Sequence, residues 1–195
     1  MKTSSKTLGH RSKPSEISGE FVPSNRLGSV ALLDRLLADT VFLSIQAQAI
    51  HWNYSGPEFP GMHLFMEGRY KHLIKAVDKI AERIRAVGAL APAALSEWIE
   101  LSDLEDIPLS AFELSPASEE PKNLEALRLF RKSELQIAEY LKRTALPRVK
   151  ELEDPATEDL LIGRLSDHEK SIWMVSSILG ELVPDVAKEG RPKAA

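Results

Sequence analysis

The chain has 195 residues, of which 43% are hydrophobic, 28% charged and 6% aromatic, a size and balance that fit one domain with tails. It contains no cysteine, which excludes disulfides, thiolate metal sites, iron–sulfur clusters and a cysteine nucleophile. The formal charge of −4 is unevenly spread: residues 1–26 carry Lys2, Lys6, Arg11, Lys13 and Arg26 against Glu16 and Glu20, a balance of +3 that leaves −7 on the rest.

Residues 1–28 read as a basic arm. Within it residues 1–14 hold four positive charges and no acid among Ser, Thr, Gly and Pro, with too little apolar surface to offset the entropy of ordering. Such an arm on an acidic body can hold a polyanion through counterion release, and Lys2, Lys6, Arg11 and Lys13 are its candidate DNA-binding residues. The start lacks the apolar stretch of a secretory signal, and no apolar run reaches the roughly 18 to 20 residues of a membrane span. The expected place is therefore the cytoplasm, with no membrane partner.

From residue 29 the pattern is helical, without sustained alternation of period two. The first helix is expected to open with Ser29 as N-cap and run to about Tyr54 through Val30, Leu33, Leu37, Phe42 and Ile45, stopped by Ser55, Gly56 and Pro57. A second, from about Pro60 to Gly88, places Met66, Tyr70, Leu73, Val77, Ile80, Ile84 and Val87 at alternating spacings of four and three. Residues 89–118 are broken by Pro92, Pro108 and Pro116 and read as a connector with one short helix, Ala93 to Leu101. A third helix starts near Ser118 and runs through Leu127, Phe130, Ala138 and Leu141, and Pro147 should kink or interrupt it. Asp154 and Pro155 start a fourth as N-cap and first helical residue; it continues through Leu161, Leu165, His168, Ile172, Val175, Leu179 and Leu182 until Pro184 closes it. Four long amphipathic helices with a sizeable connector give an all-α four-helix bundle at 29–183, between the arm 1–28 and a short tail 184–195.

The second helix has another face. At about 100° per residue its apolar stripe lies near 290° from His63, whereas Glu67, Asp78 and Glu82 fall near 40°, 60° and 100°. Leu64, Ile74 and Ala81 share that arc, so it reads as a contact face. His63 with Glu67, and Asp78 with Glu82, stand four apart, each pair able to hold a cation, and imidazole with carboxylate suits iron, manganese or zinc. A plainer account is also open, in which Lys75, Lys79 and Arg85 neutralise the acids and Lys71 pairs with Glu67. His63 and Asp78 are fifteen residues, about 22 Å, apart along the helix, so one chain cannot bring both to one ion. Two copies crossing antiparallel about a twofold axis could, and His51, a short loop before His63, could complete a two-histidine half.

These residues make the chain recognisable. The run His51, Trp52, Asn53, Tyr54, Gly56, Pro57, Phe59 and His63, then Tyr70, Asp78, Ile80, Ala81, Glu82, Arg83 and Gly88, resembles the Dps family, ferritin-like proteins that protect DNA in starved bacteria. The likeness covers about residues 29–183, with the specific motif in 51–88. It implies a ferritin-like four-helix bundle with a short extra helix in the connector, assembled as a hollow homo-dodecamer. It implies a ferroxidase that oxidises Fe(II), typically with hydrogen peroxide, oxygen being the other oxidant, at di-iron sites between twofold-related subunits. Iron (Fe2+/Fe3+) is the implied cofactor, and ferric mineral is stored inside.

By the same resemblance, His51 and His63 are nitrogen ligands from one subunit and Asp78 and Glu82 oxygen ligands from another, the four that carry the catalysis. Glu67 matches an acidic residue assisting the second iron. Trp52 would stand beside the site, as a trap for stray oxidant or as packing at the subunit contact. Glu151, Glu153, Asp154, Glu158 and Asp159 fall where the family builds a threefold iron-entry pore, although acids also suit a helix start. The competing function is a structural nucleoid protein that packs DNA while its metal site is idle or holds another ion. His168 reads as a core histidine, and His10 and His72 as surface residues. No G-x-G-x-x-G, Walker loop or H-E-x-x-H is present, which removes the easy cases for dinucleotide, nucleoside triphosphate and metalloprotease.

Overall fold

The structure is a computed structural model that describes residues 24–56, 58–112 and 123–181. Lys2, Lys6, Arg11 and Lys13 of the arm, the expected helix start near Ser118, and Leu182 and Pro184 lie outside the described residues. Within them the α-helices are α1 (Val30–Asn53), α2 (Phe59–Ala86), α3 (Leu95–Leu101), α4 (Asn123–Tyr140), α5 (Leu146–Glu151) and α6 (Pro155–Leu179). Short 3-10 turns occupy Ser24–Ser29 and Leu109–Phe112, and no strand occurs among the described residues.

The bundle is two helix pairs, α1 along α2 and α4 along α6, with α3 laid against α1. Its core is Leu33, Leu37, Leu43 and Ile50 of α1, Met66, Leu73, Ile80 and Ile84 of α2, Leu127, Phe130 and Ile137 of α4, and Leu161 and Val175 of α6. Each such side chain, taken from water, stabilises the fold by about 1.5–3 kcal/mol. The all-α bundle with a short extra helix in the connector is therefore the observed architecture. Asp39 of α1 pins that connector: its Oδ1 accepts from Ser102 Oγ at 2.8 Å and from the Asp103 backbone N–H at 3.1 Å.

Local departures from the sequence expectations have identifiable causes. Ser29 precedes α1 but makes no cap with its side chain; its Oγ donates to Asp154 Oδ2, 3.0 Å away, at the start of α6. Beside it Gly28 packs closely on Leu152: a Cβ there would stand 2.8 Å from Leu152 Cδ2, so that side chain would have to shift. Ile45, expected on the apolar stripe, is instead 51% exposed. At Pro147 the expected interruption occurs, just ahead of the proline. It lacks an N–H and would crowd the carbonyl four residues back, and the π-helical stretch Leu141–Ala145 widens the turn there so that α5 can follow. Finally, α6 stops at Gly180, whose φ of 67° is left-handed, before Pro184 is reached.

Candidate metal centre

The loop between α1 and α2 is short, so the end of α1 and the first turns of α2 face each other. That places His51 and His63 in stacked contact, ring centroids 3.8 Å apart. Each ring is fixed by the other's backbone: His51 Nδ1 lies 2.9 Å from the His63 carbonyl oxygen, and His63 Nδ1 lies 3.0 Å from the His51 carbonyl oxygen. A carbonyl only accepts, so both Nδ1 atoms must carry the proton and donate, which in a neutral ring puts the lone pair on Nε2. Such back-bonding orients metal-binding imidazoles. Tyr70 stands edge-on to His51 at 5.4 Å and Phe59 lies 5.1 Å from His63, holding the pair from either side.

Glu67, one turn beyond His63, is half-buried and paired with Lys71, whose ammonium holds its carboxyl below the usual range. The plainer pairing is thus realised at this residue. Asp78 and Glu82 are exposed and make no ion pair among the described residues, so Lys75, Lys79 and Arg85 do not serve as their counter-charges. Arg85 donates to the Ala89 carbonyl at 2.9 Å. Among the described residues, no three His, Asp or Glu side chains gather within one chain to hold an ion. The two imidazoles stand together, whereas Asp78 and Glu82 lie about 22 Å and about 28 Å along α2 from His63. Leu64, 66% exposed, and Ile74, 52% exposed, lie on the arc of α2 that carries the acids, and Trp52 near the end of α1 is 66% exposed.

The sequence pattern of the family described as Ferritin, Ferritin-like domain, matches residues 30–183. The chain is 32% identical over 146 residues to the DNA protection during starvation protein of Porphyromonas gingivalis, spanning 74% of this chain and 84% of that one. It belongs to the Dps family. An uncharacterized low temperature-induced protein of Nostoc is 29% identical over 158 residues, covering 79% of this chain and 81% of that one. The crystal structure of a Dps protein from Bacillus brevis superposes with a TM-score of 0.69 at 25% identity, covering 80% of this chain and 98% of the other.

In this Dps-family chain one expected pore residue is spent elsewhere. Asp154 is 1% exposed: its Oδ1 accepts from Arg83 Nη2 at 2.6 Å and the Thr157 backbone N–H at 3.3 Å, and its Oδ2 from Thr157 Oγ1 at 2.6 Å and Ser29 Oγ at 3.0 Å. Burial pushes its carboxyl up, but Thr157, Arg83 and Ser29 outweigh that and hold it lowered. Asp154 is a helix cap and a tie between α2, α6 and the chain before α1, and its carboxylate is buried among those partners. Glu151, Glu153 and Asp159 are exposed and Glu158 is half-buried, with Glu151 paired to Arg148 at 2.7 Å.

One cluster has no counterpart among the sequence candidates. Glu134 of α4 is fully buried and accepts from Arg69 Nε at 2.9 Å and Nη2 at 2.6 Å, from Ser171 Oγ at 2.6 Å and from His168 Nδ1. Burial alone would raise its pKa; Arg69, His168 and Ser171 together bring it down to about 2. Burial, more than Glu134 offsets, holds His168 below its ordinary value, in the neutral form. The signal for this network was present: Arg69, Glu134, Arg164 and His168 each occupy a position on the apolar stripe of its helix.

Proposed function

We propose that this Dps-family protein is a ferroxidase and iron-storage protein that oxidises Fe(II) at di-iron sites shared by twofold-related subunits of a hollow dodecamer, shielding DNA from oxidative damage. The observation that carries the reading is the reciprocal lock between His51 and His63, which stacks the two rings and leaves the Nε2 lone pair of each neutral ring for a metal. Asp78 and Glu82 of a second copy supply the oxygen donors, with Glu67 helping to hold the second iron. Trp52, Leu64 and Ile74 give that copy an apolar landing surface. With Trp52 so exposed, its indole serves packing at that contact and stands within reach of stray oxidant.

Two Fe(II) ions each give up one electron, and one hydrogen peroxide takes both with two protons to become two waters. One-electron reduction, which releases hydroxyl radical, is thereby avoided. Carboxylate oxygens favour the ferric product, and oxygen is the alternative oxidant. Glu151, Glu153, Glu158 and Asp159 form the entry path for Fe(II), drawing cations by their charge. The arm 1–28, with Lys2, Lys6, Arg11 and Lys13, holds DNA outside the bundle 29–183, and repetition around a dodecamer turns weak contacts into avidity. This places the protein in the cytoplasm, at the nucleoid.

Stopped-flow absorbance after mixing ferrous iron and peroxide with apo-protein tests the reading. A ferric signal well ahead of buffer is expected. No acceleration over buffer would leave the competing account, a nucleoid protein with an idle site.

A further inference from the structure

A cavity of about 380 Å³ opens between α2 and α6, and neither His51 nor His63 lines it. Leu64 and Phe65 of α2 and Met174 of α6 form its apolar wall, and Arg69, His72, Asp167, Lys170 and Ser171 supply its polar groups. Those groups sum to one surplus positive charge. The Arg69 guanidinium is matched by Glu134 at 2.6 Å and that of Arg164 by Asp167 at 2.7 Å, while Lys170 has no acid partner among the described residues. His72 Nε2 lies 2.9 Å from Asp167 Oδ2.

Beneath this cluster a donor set is unused. Arg164 is 5% exposed, and its Nε and Nη2 are buried with no hydrogen-bond partner. Arg164 is tied to the cavity lining through Nη1, which reaches Asp167 Oδ2 at 2.7 Å and lies 3.4 Å from His72 Nε2. Arg164 does not line the cavity and its two free nitrogens are covered, so its part is the positive charge it sets behind Asp167 and His72.

We propose that this cavity binds a small organic carboxylate, its apolar body against Phe65 and Met174 and its anionic end drawn to Lys170 and Arg69. A single surplus charge suits a monovalent anion, and a volume several times that of a bare oxyanion suits one with an apolar body. The site is independent of iron.

The test is calorimetric titration of the assembled, iron-free protein with benzoate, with benzamide as neutral isostere and inorganic phosphate as bare oxyanion. Saturable binding of one benzoate per chain is expected, with benzamide and phosphate each weaker by at least about tenfold. Lys170→Gln removes the exposed surplus charge without touching the core and should weaken benzoate by about tenfold or more. Gly68→Leu fills the mouth, where an added Cβ meets nothing within 4 Å, and should abolish benzoate binding while the helix is retained by circular dichroism. Absence of saturable benzoate binding would overturn the proposal. So would equal affinity for benzamide, equal affinity for phosphate, or benzoate binding unchanged in both variants.

Discussion

Replacing Glu134 by Gln isolates the buried network that ties α2, α4 and α6 together. The substitution keeps the shape but removes the charge that faces Arg69, His168 and Ser171, and it leaves Arg69, itself only 9% exposed, as an unpaired buried cation. Breaking a buried ion pair from one side costs about 3–5 kcal/mol. For a chain of this length that lowers the melting midpoint by roughly 6–20 °C, with protein concentration held fixed because assembly contributes to it. The double variant Arg69→Met with Glu134→Leu removes both charges and should regain most of the loss. Acid gives a second reading of the same group. The Glu134 pKa is about 2 in the folded chain against an ordinary 4.5, so its contribution, about 3 kcal/mol, is complete above pH 4.5 and is lost as pH falls from 4.5 towards 2. Differential scanning calorimetry of wild type and variants from pH 7 to 2.5 measures both effects. A Glu134→Gln midpoint within about 1 kcal/mol of wild type, or a double variant no better than the single, would refute the reasoning.

Other outcomes follow from the same structure. His51→Ala with His63→Ala should slow ferrous oxidation by more than about 100-fold in stopped flow yet leave the oligomer intact by light scattering, because the contact surface is apolar; a monomer would refute that separation. Asp154→Ala should cost about 2–4 kcal/mol by thermal unfolding, through loss of the cap and of the Arg83 pair, with ferrous oxidation per folded subunit unchanged. Deleting residues 1–28 should weaken retention of duplex DNA in a gel shift and flatten its salt dependence, and unchanged retention would discard the arm as the DNA contact.

What the sequence disclosed, and what it hid, divides by the range of the interactions. The stripe Met66, Leu73, Ile80 and Ile84 is a local repeat, so α2 and its core face were legible, as were Asp154 and Pro155 as a helix start. The histidines were legible as a pair because a short loop leaves little freedom between His51 and His63. Their mutual back-bonding was not, since it depends on the approach of two backbones. Ser29 looked like a cap by local rules, but its hydroxyl reaches a residue 125 positions away. The same partner choice withdrew Asp154 from the acidic cluster it appeared to join. Glu134 lacks any local sign of its partners, because Arg69 and Ser171 lie on other helices. Only the placement of charges on three apolar stripes at once could have announced that network.

The central claim is that one subunit lends imidazoles and another lends acids to the same iron, and co-assembly of two inactive variants tests it most directly. His51→Ala/His63→Ala subunits and Asp78→Ala/Glu82→Ala subunits, unfolded together in equal amounts and reassembled, form mixed twofold contacts at half of all positions. Each mixed contact contains one site with both halves intact, so ferrous oxidation should return to about a quarter of wild type although neither parent is active. Activity in the mixture no greater than that of the separate parents, with mixed oligomers verified by native mass spectrometry, would contradict the shared site.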